Sequence, residues 1–167
     1  MARDRDEDFE IAFDDLLPRC MAAARRLLPS TADAEDVAAE ALARTYAHWR
    51  KVRSLSYRDA WVMRVVINLA TDAARRKPPL VSPPEAVNVE ESVTLRLGLV
   101  AALRLLPRRQ REAIGLRYLG GFSEAEVAEA LGVTQGAVKT HIHRGTAALR
   151  QRLGERTDEE VIPFGKQ

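Results

Sequence analysis

The sequence predicts an all-α protein built as two small helical domains joined by a proline-rich acidic linker. Three observations carry this reading. Hydrophobic residues make up 46% of the 167 residues but aromatics only 5%, so Leu, Ala and Val must fill the core, and such a composition favours helices over strands. Apolar residues recur at spacings of three and four along most of the chain, with no strand-like alternation. Four prolines (Pro78, Pro79, Pro83 and Pro84) fall within seven residues, which forbids helix there and favours extended backbone. The expected division is a domain over 1–77, a linker over 78–94, a domain over 95–153 and an acidic tail over 154–167.

The first domain opens with Phe9, Phe13, Leu16, Leu17, Cys20, Met21, Ala24, Leu27 and Leu28, an amphipathic helix with a kink or break expected at Pro18. Pro29 and Ser30 end it. A second helix starts at about Asp33, with Asp36 in its first turn and Val37, Ala41, Leu42 and Tyr46 as its buried stripe. Asp33, Asp36, Glu40 and Arg44 lie along another face. A loop over about 50–57 leads to a third helix over about 58–77, burying Trp61, Val62, Val65, Val66 and Leu69. Its exposed side carries Arg64, Asn68, Arg75 and Arg76. In the second domain, Leu95, Leu97, Leu99, Val100, Leu103 and Leu106 mark a helix ending before Pro107. The next helix, Arg108 to Leu119, stops at Gly120 and Gly121.

The stretch from Ser123 to Arg150 reads as a helix-turn-helix. Ser123 and Glu126 make a capping box, Gly132 supplies the positive φ of a tight turn, and Thr134 caps the second helix. Val138, Ile142 and Leu149 share one face of that helix. The opposite face presents Gln135, Gly136, Lys139, Thr140, His143 and Arg144, groups suited to phosphates and base edges in a major groove. The charge distribution agrees. Residues 95–153 carry ten basic against four acidic groups, although the whole chain is only +2, so the basic excess sits with the helix-turn-helix.

No catalytic constellation emerges. Asp33, Glu35, Asp36 and Glu40 lack a histidine at metal-ligand spacing and read as a solvated or partner-binding acidic face. His141 and His143, two apart on a helix, point in different directions and cannot chelate one ion. The single cysteine, Cys20, permits no internal disulfide and reads as a buried thiol. No cofactor is implied. The charged N-terminus carries no apolar signal region, and no apolar run is long enough to span a bilayer, so a cytoplasmic location is expected. Tyr57 and Trp61 beside a basic helix allow base stacking, although Trp61 at the start of an apolar stripe is more often core.

Several segments resemble bacterial sigma factors of the extracytoplasmic-function group. Ala34 to Val37 followed by Glu40 resembles the start of region 2.2 in that family. Ala60 to Arg76 resembles regions 2.3 and 2.4. Leu106 to Glu112 and Gly121 to Ala128 resemble region 4, and Val138 to Gly145 resembles its recognition helix. Ala39 stands where the family often has Gln. The resemblance implies a protein without enzymatic activity that binds core RNA polymerase and directs it to promoters. Asp33, Asp36, Glu40 and Arg44 would dock on the β′ clamp helices. Ser54, Ser56, Arg58, Arg64, Asn68, Arg75 and Arg76 would read the melted minus-ten strand, where a flipped base must be repaid by new contacts. Thr134, Gln135, Gly136, Lys139, Thr140, His143 and Arg144 would read the minus-thirty-five duplex. An anti-sigma factor masking both domains is a further implied partner. Two other readings stay open: a helix-turn-helix activator or repressor binding duplex DNA alone, and a helical adaptor using the acidic face of the second helix.

Overall fold

A computed structural model describes the backbone over residues 2–76 and 87–159, with side chains placed over 6–74 and 95–154. Among these residues all regular structure is helical: α1 (Ala2–Leu27), α2 (Thr31–Ala47), α3 (Trp49–Val52), α4 (Arg58–Arg76), α5 (Val87–Arg104), α6 (Arg108–Ile114), a π-helical turn (Gly115–Leu119), α7 (Glu124–Leu131) and α8 (Gln135–Glu159).

In the first half α1, α2 and α4 pack on one another. Leu16, Cys20, Ala24 and Leu27 of α1 meet Ala34, Val37, Ala38, Ala41 and Leu42 of α2 and Val62, Met63, Val66 and Ile67 of α4, all buried. Many contact positions are alanine, which lets helix backbones approach closely and explains how so few aromatics suffice. Ser30 caps α2, its Oγ accepting from the Asp33 amide at 3.4 Å. The expected break at Pro18 does not occur, since α1 runs through it as one helix. Pro18 and Asp14, four residues back, are both exposed, so water can satisfy the carbonyl that proline leaves free, while the buried residues on either side hold the turns in place.

Other expectations shift. The loop over 50–57 contains the start of regular structure, because α3 carries Trp49 and Val52 into the core. Trp49 meets Phe9 edge-on, with ring centroids 5.2 Å apart. Tyr46 is exposed rather than buried; its hydroxyl donates to Asp6 at 2.7 Å and its ring packs on Phe9. On α4 the buried stripe is Val62, Met63, Val66, Ile67 and Ala70, while Trp61, Val65 and Leu69 are half-buried. The linker expected over 78–94 ends early, at Val87, where α5 begins. Proline-free sequence after Pro84 allows this, and Glu90 and Glu91 then fall near the N-terminal end of a helix, where acids are favoured. Residues 77–86, most of the acidic tail (160–167) and the side chains of Arg75 and Arg76 lie outside the described residues.

In the second half α5, α6 and α7 pack against α8, burying Val100, Leu103, Leu106, Ile114, Leu116, Val127, Leu131, Val138 and Leu149. The crossing of α6 and α8 depends on Gly145. A Cβ there would lie 2.5 Å from Ile114 Cδ1 and 3.2 Å from Gln110 Cβ. Replacing a helical glycine gains about 1 kcal/mol of propensity, but overpacking costs about 1–3 kcal/mol, and Gln110 Cβ belongs to the helix and cannot swing away. Gly145→Ala is therefore expected to lower stability, read as a reduced urea midpoint with an unchanged slope.

The two halves also touch. Helix α4 contacts α5, α6, the π-helical turn and α7. Gly115 allows a close approach: a Cβ there would sit 2.7 Å from Ile67 Cδ1 and 2.9 Å from its Cγ2.

Candidate nucleic-acid interface

Every local device expected in the helix-turn-helix is formed. The Glu126 amide donates to Ser123 Oγ at 3.3 Å and the Ser123 amide to Glu126 Oε2 at 2.8 Å. The Ser123 amide, together with the Ser123 hydroxyl donating to the same Oε2 at 2.8 Å, holds the Glu126 carboxyl below its ordinary range. Gly132 closes α7 at φ 64°. Thr134 Oγ1 accepts from the Ala137 amide at 3.1 Å and so starts α8. Val138 is fully buried against α7, while Ile142 is half-buried. That one buried seam turns the opposite face outward, and Thr134, Gln135, Gly136, Lys139, Thr140, His143 and Arg144 are all exposed. Thr140 Oγ1 donates to the Gly136 carbonyl at 3.0 Å. Lys139 Nζ sits 3.6 Å from Glu124 Oε2 with both groups substantially open to water, a pairing too weak to hold the lysine against a phosphate.

The seven residues expected to read single-stranded DNA are not alike. Ser54 is exposed and donates to the Lys51 carbonyl at 3.2 Å. Arg58 bonds Asp59 at 3.0 Å and lies 6.0 Å over the Trp49 ring. Asp59 is also bound by Arg19; burial pushes its carboxyl up, but the two arginines outweigh this and hold it below its ordinary value. Trp61 tilts against His48, centroids 6.0 Å apart. Arg64 and Asn68, expected on an open face, are occupied instead. Arg64 Nε donates to Glu112 Oε1 at 2.9 Å and its Nη1 to the Ala130 carbonyl at 3.2 Å. Asn68 Nδ2 donates to the same Glu112 oxygen at 2.8 Å. Ser56 Oγ donates to Glu129 Oε2 at 3.0 Å. The cause is tertiary: the second half docks on this face of α4.

Glu112 is the group that the sequence reading left without a role. Its side chain is fully buried, and it also accepts from Arg108 Nε at 2.9 Å and Arg109 Nη1 at 3.4 Å. Burial pushes its carboxyl up, yet the bonds from Asn68, Arg64 and Arg108 win and hold it below the ordinary 4.5. A carboxyl lowered on folding contributes stability that is present above 4.5 and lost as pH falls through the lowered value. The contact between α4 and α6 is thus expected to weaken only in acid, seen as earlier loss of amide protection on these helices than on α7. The sequence did hold a signal, a single acid four residues after Arg108 and three after Arg109.

The acidic face of α2 has the expected form. Asp36, Glu40 and Arg44 are exposed and Asp33 half-exposed. Arg44 Nε pairs with Glu40 Oε1 at 2.7 Å. Beside it, between α1 and α2, an apolar groove is lined by Phe9, Phe13, Leu17, Met21, Leu42 and Tyr46 among others. Cys20 is buried, its thiol pushed up to about 11 by loss of water. Among the described residues there is no cluster of His, Cys, Asp or Glu able to hold a metal, and no helix long and apolar enough to cross a membrane.

Comparison with known proteins agrees with this geometry. A family model described as sigma-70 region 2 matches residues 12–78, and one described as sigma-70, region 4, matches residues 96–149. The RNA polymerase sigma-E factor of Streptomyces coelicolor is 37% identical over 78% of this chain and 77% of its own length. The ECF RNA polymerase sigma factor SigW of Bacillus subtilis is 32% identical over 77% of this chain and 79% of its own. The chain belongs to the extracytoplasmic-function group of the sigma-70 family. The sigma factor RpoE of Bartonella quintana, solved in complex with the anti-sigma factor NepR, shares the fold with a TM-score of 0.55. It covers 89% of this chain and 98% of that one at 22% identity. The region 2 match takes in most of α1 with α2, α3 and α4, and the region 4 match takes in the second half of α5, α6, α7 and the first part of α8.

Proposed function

We propose that this sigma-70 family chain binds core RNA polymerase and directs it to promoters, without an enzymatic reaction of its own. The observation that carries the reading is the outward row of α8. Gln135, Gly136, Lys139, Thr140, His143 and Arg144 stand exposed along one side of a helix that Thr134 caps after the Gly132 turn, the form in which a major groove is read. The minus-thirty-five duplex is its target in this reading. The minus-ten strand falls to Ser54, Ser56, Arg58, Arg64, Asn68, Arg75 and Arg76, which the chain places on the loop before α4 and along α4 itself. Core polymerase falls to the acidic face of α2 with Asp33, Asp36, Glu40 and Arg44. That face is solvated, carries one exposed ion pair and adjoins an apolar groove, so charge steers the encounter while apolar burial holds it. An anti-sigma factor is the fitting regulator, as in the Bartonella quintana complex.

The test is reconstitution. Purified chain and core RNA polymerase are incubated with genomic fragments, and transcripts that need both components are mapped. Discrete start sites preceded by shared elements support the reading. Tight duplex binding by the chain alone, with no polymerase complex and no transcripts, would replace it with an activator or repressor.

A further inference from the structure

Within the outward row of α8, Lys139 has an acid beside it. Its Nζ lies 3.6 Å from Oε2 of Glu124, which α7 contributes. Both residues stand on fixed elements. The capping box between Ser123 and Glu126 sets the first turn of α7, and fully buried Val138, the residue before Lys139, seats α8 against α7. The two charges share one shallow depression with Tyr118, Ile142, His143 and Arg150, and Glu124 is the only acid in its lining. An acid in a first turn suits the helix dipole, but Glu126 already serves that end of α7 through the Ser123 amide. Glu124 instead sets a negative charge inside the surface that meets DNA.

A lysine is a compact charge on a flexible stem, and a phosphate contact carries no sequence information. The Glu124 pair is too weak to restrain Lys139 by itself, yet a phosphate that reaches Lys139 also meets the carboxylate. A phosphate bears a full negative charge, whereas guanine O6 and N7 are neutral acceptors. The acid therefore penalises the phosphate contact more than the base contact. We propose that Glu124 is a specificity-determining residue of the duplex interface, acting through Lys139 to favour a base edge over the sugar–phosphate backbone. It raises discrimination by weakening the wrong mode of binding. The inference rests on the proposed function for its placing of α8 in the groove.

Holoenzyme assembled from the full chain is titrated with two duplexes, one carrying the minus-thirty-five element of a mapped promoter and one with that element scrambled. The same core enzyme is used throughout, so its own DNA binding cancels between variants. Glu124→Gln is expected to bind the scrambled duplex about five-fold more tightly, the size of an exposed like-charge contact, and the element less than about two-fold more tightly. Its salt dependence on the scrambled duplex should steepen by about 0.9, one further phosphate neutralised. Glu124→Ala should do the same and guards against misfolding of the glutamine variant, while Glu124→Asp, which keeps the charge, should hold the wild-type preference within about two-fold. With Lys139→Ala already present, Glu124→Gln should narrow the preference no further. An unchanged preference in Glu124→Gln and Glu124→Ala, with native circular dichroism, overturns the proposal. So does equal narrowing with and without Lys139, which would make Glu124 a general surface repulsion. If the wild-type holoenzyme binds both duplexes alike, or Lys139→Ala alters neither, the placing of α8 in the groove fails and this proposal falls with it. A wild-type preference that Lys139→Ala weakens and the Glu124 variants leave intact overturns this proposal alone.

Discussion

Charge reversal at Asp36 and Glu40 together is expected to abolish capture of core RNA polymerase while leaving the chain folded. Both residues are exposed on α2, on the side away from Val37, Ala38 and Ala41, which are buried against α1 and α4. The fold loses only the Glu40–Arg44 pair, whose side chains are each more than half exposed, and such surface pairs contribute about 0–1 kcal/mol. At an interface the consequence is larger. Placing two cations where a partner expects two anions sets like charges against each other, at a cost of several kcal/mol, or a loss of roughly a hundred-fold or more in affinity. Pull-down of core enzyme by Asp36→Arg with Glu40→Arg, beside a circular dichroism melt, measures both sides. Undiminished capture would remove α2 as the docking face.

Loss of Lys139 or Arg144 should weaken binding to the minus-thirty-five duplex, in holoenzyme, by about 1–3 kcal/mol each where the contact is bidentate to a base, and less where it meets phosphate alone. Neither side chain supports the fold. Both are exposed, Lys139 makes only a 3.6 Å contact with Glu124, and alanine is the better helix former. The two kinds of contact separate by salt. A lost phosphate contact lowers the dependence of log affinity on log salt by about one and affects all sequences alike. A lost base contact changes which promoters are chosen. Fluorescence anisotropy on a duplex taken from the mapped promoters, at several salt concentrations, distinguishes them. Full affinity in both variants would mean that α8 does not enter the groove as described.

The helix-turn-helix was legible almost residue by residue, because its devices are local. A capping box, a left-handed glycine and a threonine cap act over three or four residues, so Ser123, Gly132 and Thr134 announce themselves without knowledge of the rest of the chain. The same holds for the Glu40–Arg44 pair, one helical turn apart. Pro18 misled because a helix break is decided by what holds each side, and both sides of α1 are buried in one core. Tyr46 misled because helical spacing marks a face without saying how far a neighbour covers it; α1 reaches only its edge, through Asp6 and Phe9.

By itself, then, the sequence determined an all-α fold class, the caps and turn of the helix-turn-helix, and the outward row on α8, since each follows from periodicity and from hydrogen bonds made within a few residues. Only the tertiary structure decided that Arg64 and Asn68 are engaged rather than open, and that Glu112 is the buried acid that engages them. The partners lie 48 and 44 residues apart in the chain. Nothing in either segment dictates that they meet, because the meeting is set by apolar surfaces such as Ile67 on Gly115, whose fit exists only once both halves have folded.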